Sequence, residues 1–215
     1  MNNYETLDEK CQIVGYHCYN LEAFDNGRCL DCGDDGSKCT LPIATKIVTK
    51  FGRFTGEHKT RYFTRGLMGN YYYKISNKPP HCLYSYGIEL HLDPQSDSAF
   101  GLFTLDIEGS KGKVNGIKLS KNYSPYRPGE KYFYLFSTEQ SLGPISRVSI
   151  SCSFKRVDYP DQIIRNPTLT IHHLKLKYLS NIDQRIRENE SRYLCPKFFS
   201  RIISNNSRSS LINCQ

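Results

Sequence analysis

The segment LTIHHLKLKYL, residues 169–179, carries the clearest strand pattern in the sequence. Its second half alternates apolar with polar side chains, Leu174, Leu176 and Tyr178 against His173, Lys175 and Lys177. Alternation with a period of two predicts a strand with one buried face and one face in water. We therefore predict a sheet that covers a core on one side.

The same strand-like pattern occurs on the N-terminal side of this segment. From about residue 60, short runs rich in Tyr, Phe, Ile and Val are separated by turn signals such as Asn115-Gly116 and Pro128-Gly129. The candidate strands are RYFTR, NYYYKIS, LYSYGIELHL, FGLFTLDIEG, GIKLS, KYFYLFST, RVSISCSF and LTIHHLKLKYL. About eight short strands without helical periodicity predict an all-β sandwich.

Two adjacent histidines, His172 and His173, fall within the predicted strand 169–179. Successive side chains of a strand point to opposite faces, so we expect one histidine in water and one packed, with no metal between them.

The cysteines indicate an oxidising compartment. Nine occur in 215 residues, and five of them lie between Cys11 and Cys39. Glycosylation sequons at Asn122, Asn189 and Asn205 point the same way. We therefore expect a secreted, extracellular protein.

The charge predicts anionic partners. The formal net charge is +8, which suits nucleic acid, anionic lipid headgroups or sulfated polysaccharide. No nucleic-acid-binding motif is present, so we expect no nucleic acid partner. The stretch 46–61 concentrates basic side chains with only Glu57 opposing, and its candidate polyanion-binding residues are Lys46, Lys50, Arg53, Lys59 and Arg61.

The N-terminal segment MNNYETLDEK is polar and acidic and lacks the apolar stretch of a signal peptide. No run approaches the ~20 apolar residues of a transmembrane helix. Secreted-type cysteines without a leader predict that this sequence is the back half of a longer precursor, or a truncated gene model.

No catalytic motif is found. The nucleophile elbow G-x-S-x-G of α/β-hydrolases is absent, and the string EGSKGK around Ser110 has the wrong spacing. A Cys nucleophile with a His base is an alternative, although disulfides would consume most thiols. We predict no catalytic residue in this chain.

Two metal sites are weighed as alternatives to the expectation of no cofactor. Thiolates of Cys18, Cys29, Cys32 and Cys39 could bind zinc, but only one C-x-x-C hook is present, which favours structural disulfides. Four Asp of predicted loops are a candidate calcium site, namely Asp93, Asp97, Asp158 and Asp161.

The stretch GYHCYNLEAFDNGRCLDC, residues 15–32, followed by Cys39, resembles the segment after the catalytic histidine in the pancreatic, lipoprotein, hepatic and endothelial lipase family. The shared pattern is an aromatic, one variable residue, Cys, ten residues, Cys-x-x-Cys and a further Cys. The resemblance implies two disulfides, Cys18 to Cys29 and Cys32 to Cys39.

The remainder resembles the PLAT β-sandwich of those lipases, in which Cys195 and Cys214 match a last disulfide. The resemblance implies an all-β chain, with an eight-stranded PLAT-type β-sandwich preceded by a disulfide-rich loop segment from the end of an α/β-hydrolase domain. The implied domains are the hydrolase end at 1–45, a basic linker at 46–60, the sandwich at 61–196 and a disulfide-tethered tail at 197–215.

The family's lipid-contact loop corresponds to VDYPDQIIRNP, which offers Tyr159, Ile163 and Ile164 in place of tryptophans. Cys11, Cys82 and Cys152 are left over; one is a candidate to pair with an upstream cysteine, and Cys152 suits the core.

The resemblance implies a secreted triacylglycerol lipase or phospholipase A1-type ester hydrolase, of which this chain is the non-catalytic docking portion. Its expected partners are a lipid interface or lipoprotein surface, a sulfated polysaccharide and a small protein cofactor. The alternative is a stand-alone lipid- or protein-binding PLAT module or a catalytically dead relative of the yolk-protein kind.

Overall fold

The computed structural model describes residues 14–30, 43–44, 58–61, 70–78, 82–155, 167–181, 184–197, 202–204 and 207–214. Fourteen strands lie in these ranges: β1 (Val14–His17), β2 (Ile43–Ala44), β3 (His58–Arg61), β4 (Asn70–Tyr73), β5 (Tyr84–Leu92), β6 (Ala99–Gly109), β7 (Lys113–Lys118), β8 (Ser124–Tyr126), β9 (Lys131–Thr138), β10 (Ile145–Phe154), β11 (Leu169–Tyr178), β12 (Arg192–Pro196), β13 (Ile202–Ile203) and β14 (Arg208–Asn213). The described helices are α1 (Leu21–Asp25), a 3₁₀ turn (Arg28–Leu30) and α2 (Gln184–Glu190).

The predicted all-β class is confirmed. Ten strands form one sheet in the order β7-β6-β10-β14-β12-β11-β5-β9, with β8 attached to β6 and β13 to β11. Each pairing for which a register is defined is antiparallel, as expected for one face buried and one face wetted. A four-stranded sheet has the order β2-β1-β4-β3.

Seven of the eight predicted strands coincide with described strands, β4 to β7 and β9 to β11. The eighth, RYFTR, lies outside the described residues except for Arg61. The stretch 197–215, expected as a tethered tail, contributes β14, which pairs with both β10 and β12. The sequence RSSLIN of β14 has few apolar residues, which explains why its pattern predicted no strand.

Two local expectations were wrong. Residues 14–30, expected as loop, form β1 and α1, where the side chain of Asn20 caps the helix by accepting a hydrogen bond of 2.8 Å from Ala23 N. The Asn115-Gly116 turn signal lies inside β7, beside a register shift in the pairing with β6. Gly116 has φ +71°, a conformation that favours glycine, and its N–H donates to Asp106 Oδ1 over 2.8 Å.

The alternation of β11 breaks at His173. Leu169, Ile171 and His173 are buried at odd positions, and the burial then continues at even positions from Leu174. His173 is therefore buried, although its position in the alternation predicted exposure to solvent. His172 is exposed, but its Nδ1 lies 2.5 Å from His173 Nδ1, so the two rings are not on opposite faces.

The chain divides into two compact units, and the division falls within β5, β9 and β11. Unit 2 comprises 88–134, 142–176 and 191–215. Its core includes the inward side chains of β6 and β10, among them Phe103, Leu105 and Ile107 on β6. The domain boundaries predicted from the sequence stay a prediction.

Unit 1 comprises 1–87, 135–141 and 177–190. A small core joins α1 to β4, where Phe24 stacks on Tyr72 with ring centroids 5.8 Å apart. The disulfide between Cys18 and Cys29 closes this segment, with a Cα–Cα distance of 5.4 Å.

A second disulfide joins Cys195 on β12 to Cys214, with a Cα–Cα distance of 5.0 Å. Cys82 is also disulfide-bonded. Cys152 is a free, buried thiol on the inner face of β10, where the sequence placed it. Cys11, Cys32 and Cys39 lie outside the described residues.

Candidate functional site

Most of the residues predicted to bind lipid or polyanions lie outside the described residues: Tyr159, Ile163 and Ile164, and Lys46, Lys50 and Arg53. Lys59 and Arg61 lie on β3, opposite Tyr72 and Asn70 of β4. The sequons at Asn122 and Asn189 are on exposed residues, and Asn205 is not described. These assignments stay predictions.

The structure argues against the zinc alternative. Cys18 and Cys29 are joined to each other, so neither sulfur is available as a thiolate ligand. Of the candidate calcium ligands, Asp97 accepts hydrogen bonds from the N–H and hydroxyl of Thr168, and Asp93 accepts from Gln95 N. Asp158 and Asp161 are not described. Within the described ranges, no group of three or more His, Cys, Asp or Glu is arranged to hold a metal ion.

The free thiol of Cys152 is unsuited to nucleophilic catalysis. The residue is 1% exposed, and burial raises its pKa to about 12. A nucleophilic cysteine requires the opposite, an accessible sulfur with a depressed pKa. Cys152 is therefore part of the core of unit 2.

A different surface is the best candidate site. On β12 and β14, the large apolar side chains of Tyr193 and Ile212 are 44% and 39% exposed. Their neighbours Leu194 and Leu211 are fully buried, so Tyr193 and Ile212 share the outer face of the sheet. The main chains are adjacent, since Cys195 pairs with Ile212 and Cys214 N donates to Tyr193 O over 3.0 Å. We call this surface, formed by Lys175, Tyr193, Cys195, Ile212 and Cys214, the β12–β14 face.

Tyr193 is held by the residues beneath it. Its ring stacks on His173 at a centroid distance of 4.6 Å, and His173 lies against His91 at 3.8 Å. The Nζ of Lys175, which pairs with Tyr193 across β11 and β12, lies 5.7 Å from the centre of the tyrosine ring. The ring is therefore supported on one side and open to solvent on the other.

A buried carboxylate anchors this stack. Glu89 on β5 is 6% exposed, and its Oε1 lies 2.6 Å from His91 Nε2 and 3.4 Å from Lys175 Nζ. These partners supply the positive charge and the donors that a buried carboxylate needs.

The histidines of the stack favour the neutral form. Burial, together with the nearby His91, His172 and Lys175, lowers the pKa of His173 to about 4. Burial also lowers the pKa of His91, against the hydrogen bond with Glu89, which raises it. The Nε2 of His173 is buried, and it has no hydrogen-bond partner within the described part of the chain.

Unit 2, which includes the β12–β14 face, is basic. The described residues of unit 2 include 12 Lys and Arg against 6 Asp and Glu. Arg147 lies beside Ile212, because Val148 pairs with Leu211, and the exposed Lys197 follows β12. Arg208 forms an ion pair with Asp106. An exposed apolar pair within a basic sheet face can bind a surface that is both apolar and anionic.

The sequence contained a partial signal for this face. RYLCP contains a tyrosine beside a leucine, but five residues without clear alternation are too few to show which of the two faces water. The exposure of Ile212 depends on the pairing of β14, which the sequence alone did not predict.

Comparison with known proteins confirms the resemblance to lipases. Lipase member H-A of Xenopus laevis is 22% identical over 181 residues, 84% of this chain and 36% of the relative. Lipase member H of Xenopus tropicalis is 23% identical over 161 residues, 74% of this chain and 33% of the relative. Lipase member H of Rattus norvegicus is 20% identical over 195 residues, 89% of this chain and 41% of the relative. The chain thus spans well under half the length of these curated relatives.

No protein-family model matches the chain. Among solved structures, the chain is similar to Delta413-417:GS LOX with a TM-score of 0.42 and 15% identity, covering 61% of this chain and 16% of that one. The same LOX variant in complex with arachidonate gives a TM-score of 0.42 and 15% identity, covering 61% and 17%. Among the described residues, no helix is long and apolar enough to span a membrane.

Proposed function

We propose that this chain is the non-catalytic, lipid-docking portion of a secreted carboxylic ester hydrolase of the lipase family. In this proposal the ester bonds of triacylglycerol or phospholipid are cleaved by a serine outside the 215 residues, and this chain holds the enzyme at the lipid interface. The PLAT assignment of the sandwich and the extracellular location are parts of the same proposal.

The observation that carries the proposal is the β12–β14 face. Its two large apolar side chains lie exposed on neighbouring strands, and an exposed apolar patch of this kind can meet lipid or a partner. The chain is similar to lipase member H over 74% to 89% of its length, and for that reason we propose a lipid interface as the partner of this surface. The missing G-x-S-x-G and the buried thiol of Cys152 favour a docking role over catalysis.

Docking contributes to hydrolysis through effective concentration. A domain that binds the interface holds a tethered active site close to its substrate, which raises turnover without new chemistry.

The basic residues Lys46, Lys50, Arg53, Lys59 and Arg61 support a further contact with sulfated polysaccharide, by charge density. A small protein cofactor is the remaining proposed partner.

Flotation with lipid droplets tests this function. The purified 215-residue chain, with its disulfides formed, is mixed with triolein droplets coated with phosphatidylcholine and phosphatidylserine, and the mixture is centrifuged. We expect the chain to float with the droplets and to release no fatty acid from triolein or tributyrin above the buffer rate. A pancreatic-type lipase with an intact active site serves as the positive control for hydrolysis.

Two results would contradict the proposal. A chain that stays in the aqueous layer at every droplet concentration has no docking function. A chain that hydrolyses tributyrin by itself, and keeps doing so after repurification, contains catalytic residues that we place elsewhere.

A further inference from the structure

We propose that the β12–β14 face docks on an anionic phospholipid surface, with Tyr193 and Ile212 entering the headgroup region and Lys175, Arg147 and Lys197 contacting phosphates. This inference rests on the proposed docking function and specifies its location and its lipid. It places the contact on paired strands instead of the loop that carries Tyr159, Ile163 and Ile164.

The exposed pair has the chemistry of an interfacial anchor. A tyrosine has an apolar ring and a polar hydroxyl, which suits the boundary between acyl chains and headgroups. Ile212 adds an aliphatic side chain on the neighbouring strand, on the same outer face. Both side chains project from a sheet and not from a loop, so their position is fixed before they meet lipid.

The face is ordered in advance. The Cys195–Cys214 disulfide ties β12 to the end of β14, and the His173 ring supports Tyr193 from below. Side chains that are already ordered lose less conformational entropy on binding. Insertion of this pair therefore requires no rearrangement of the strands.

The charge selects an anionic surface. The described part of unit 2 has twice as many Lys and Arg as Asp and Glu, 12 against 6. Lys175, Arg147 and Lys197 are the basic residues nearest to the exposed pair in the strand register. Each basic residue near an anionic bilayer is attracted to it, so a few of them favour phosphatidylserine over phosphatidylcholine by roughly tenfold or more.

The apolar pair favours a lipid over a soluble polyanion. A sulfated polysaccharide would use the basic residues but would leave Tyr193 and Ile212 in water. A phospholipid surface uses the charges and the apolar side chains together, and for that reason we assign the face to lipid.

Vesicle sedimentation measures the affinity. The intact chain is mixed with vesicles of phosphatidylcholine alone or with 30% phosphatidylserine, at low salt and at 0.5 M NaCl. We expect binding to the anionic vesicles, weakened by salt, and a loss of roughly tenfold in the double variant Tyr193→Ser/Ile212→Ser. Tyr123→Ser is the matched control, because Tyr123 is 38% exposed but lies outside this face; we expect its affinity to stay within about twofold of the wild type.

A tryptophan reporter locates the contact. The chain contains no Trp, so Tyr193→Trp introduces a single indole at the face. We expect its emission to shift to shorter wavelength on anionic vesicles and to be quenched by brominated phospholipids. The matched reporter Tyr123→Trp should show neither change. Circular dichroism and the melting temperature check that each variant folds.

The outcomes separate the two proposals. If the chain binds anionic vesicles but the double variant binds equally well and the Tyr193→Trp emission is unchanged, the face is wrong and the docking function stands. If the chain binds neither vesicles nor droplets, the docking function itself fails. If the double variant binds anionic vesicles as tightly as the wild type and soluble heparin displaces both proteins from them, the basic residues bind polyanions without the apolar pair and the lipid assignment is overturned.

Discussion

The hydroxyl of Tyr16 donates a hydrogen bond of 2.6 Å to the carbonyl oxygen of Leu179, across 163 residues of sequence. Tyr16 is the aromatic of the lipase-like pattern, two residues before Cys18. Burial raises the pKa of the Tyr16 phenol well above its usual range, although Arg187 lowers it somewhat. The phenol therefore remains a donor at any ordinary pH, which gives the aromatic of the pattern a structural role within unit 1.

The first prediction follows from this bond. Tyr16→Phe removes the hydroxyl donor. The carbonyl oxygen of Leu179, a residue that is 6% exposed, then loses this hydrogen bond. We expect the free energy of unfolding, measured by urea denaturation, to fall by about 1 to 2 kcal/mol. Tyr19→Phe is the control, because Tyr19 is 66% exposed, and its stability should stay within about 0.5 kcal/mol of the wild type. Equal stability of the two variants would show that the bond contributes nothing.

The second prediction concerns acid. The pKa of His173 is about 4 in the folded chain and has its ordinary value of 6.5 in the unfolded chain, so between these values the unfolded chain binds more protons than the folded one. Stability is therefore present above pH 6.5 and is lost as the pH falls toward 4. The groups that face this imidazole are His172 and Lys175 on β11, His91 and Glu89 on β5, and Tyr193 on β12. Lys131 on β9 acts on His91.

We expect His173→Phe to flatten this dependence. Phenylalanine keeps the stack between His91 and Tyr193 and removes the buried Nε2, so the stability lost between pH 7 and pH 4.5 should shrink by up to about 3 kcal/mol. Urea denaturation of the wild type and of His173→Phe at several pH values measures how the free energy of unfolding depends on pH. His17→Phe, at an exposed position on β1, is the control and should keep the wild-type slope. A His173→Phe curve parallel to the wild type would contradict the assignment.

The third prediction concerns the Cys195–Cys214 disulfide, which closes a loop of 19 residues. Replacing both cysteines by alanine removes a cross-link that restricts the unfolded chain. In the chain-entropy model this cross-link stabilises the folded chain by about 3 kcal/mol. We expect a corresponding loss of unfolding free energy, and a loss of vesicle binding if the face depends on this bond. Reduction of the double variant controls for the other disulfides, since any further loss must come from them. Unchanged stability would mean that strand pairing alone orders β14.

The sequence predicted the strands whose alternation is long and apolar. β6 and β10 have 11 and 10 residues, and their inner positions carry large apolar side chains. It did not predict β12 and β14, because RYLCP is short and RSSLIN presents Ser209 to the core, where it is 1% exposed. The position of β14 between β10 and β12 depends on long-range pairing, which no local pattern encodes.

The candidate site was missed for the same reason. Its two exposed residues lie on the two strands that the sequence did not predict. His173 lies on the same face of β11 as Lys175, where its ring stacks on Tyr193 and is buried, although the alternation of the sequence predicted an exposed side chain. The burial of this ring depends on side chains of neighbouring strands that are distant in sequence, and local alternation does not encode such packing.

The last prediction concerns a close approach between β6 and β10. A Cβ added to Gly101 would lie 2.7 Å from Cys152 Sγ and 3.1 Å from Phe154 Cδ1, so Gly101→Ala forces the core side chains to move. We expect it to destabilise the chain by about 1 to 3 kcal/mol. Cys152→Ala removes the sulfur and leaves a small cavity, which also destabilises the chain by about 1 to 2 kcal/mol.

Because the new methyl would occupy space that the sulfur vacates, the double variant should be more stable than the sum of the two losses predicts, by about 0.5 to 2 kcal/mol. A double-mutant cycle by urea denaturation measures this coupling. The control cycle pairs Cys152→Ala with Gly116→Ala, since nothing lies within 4 Å of a Cβ at Gly116; its losses should add. Additivity in both cycles would mean that the strain at Gly101 comes from the backbone and Phe154, and not from the buried thiol.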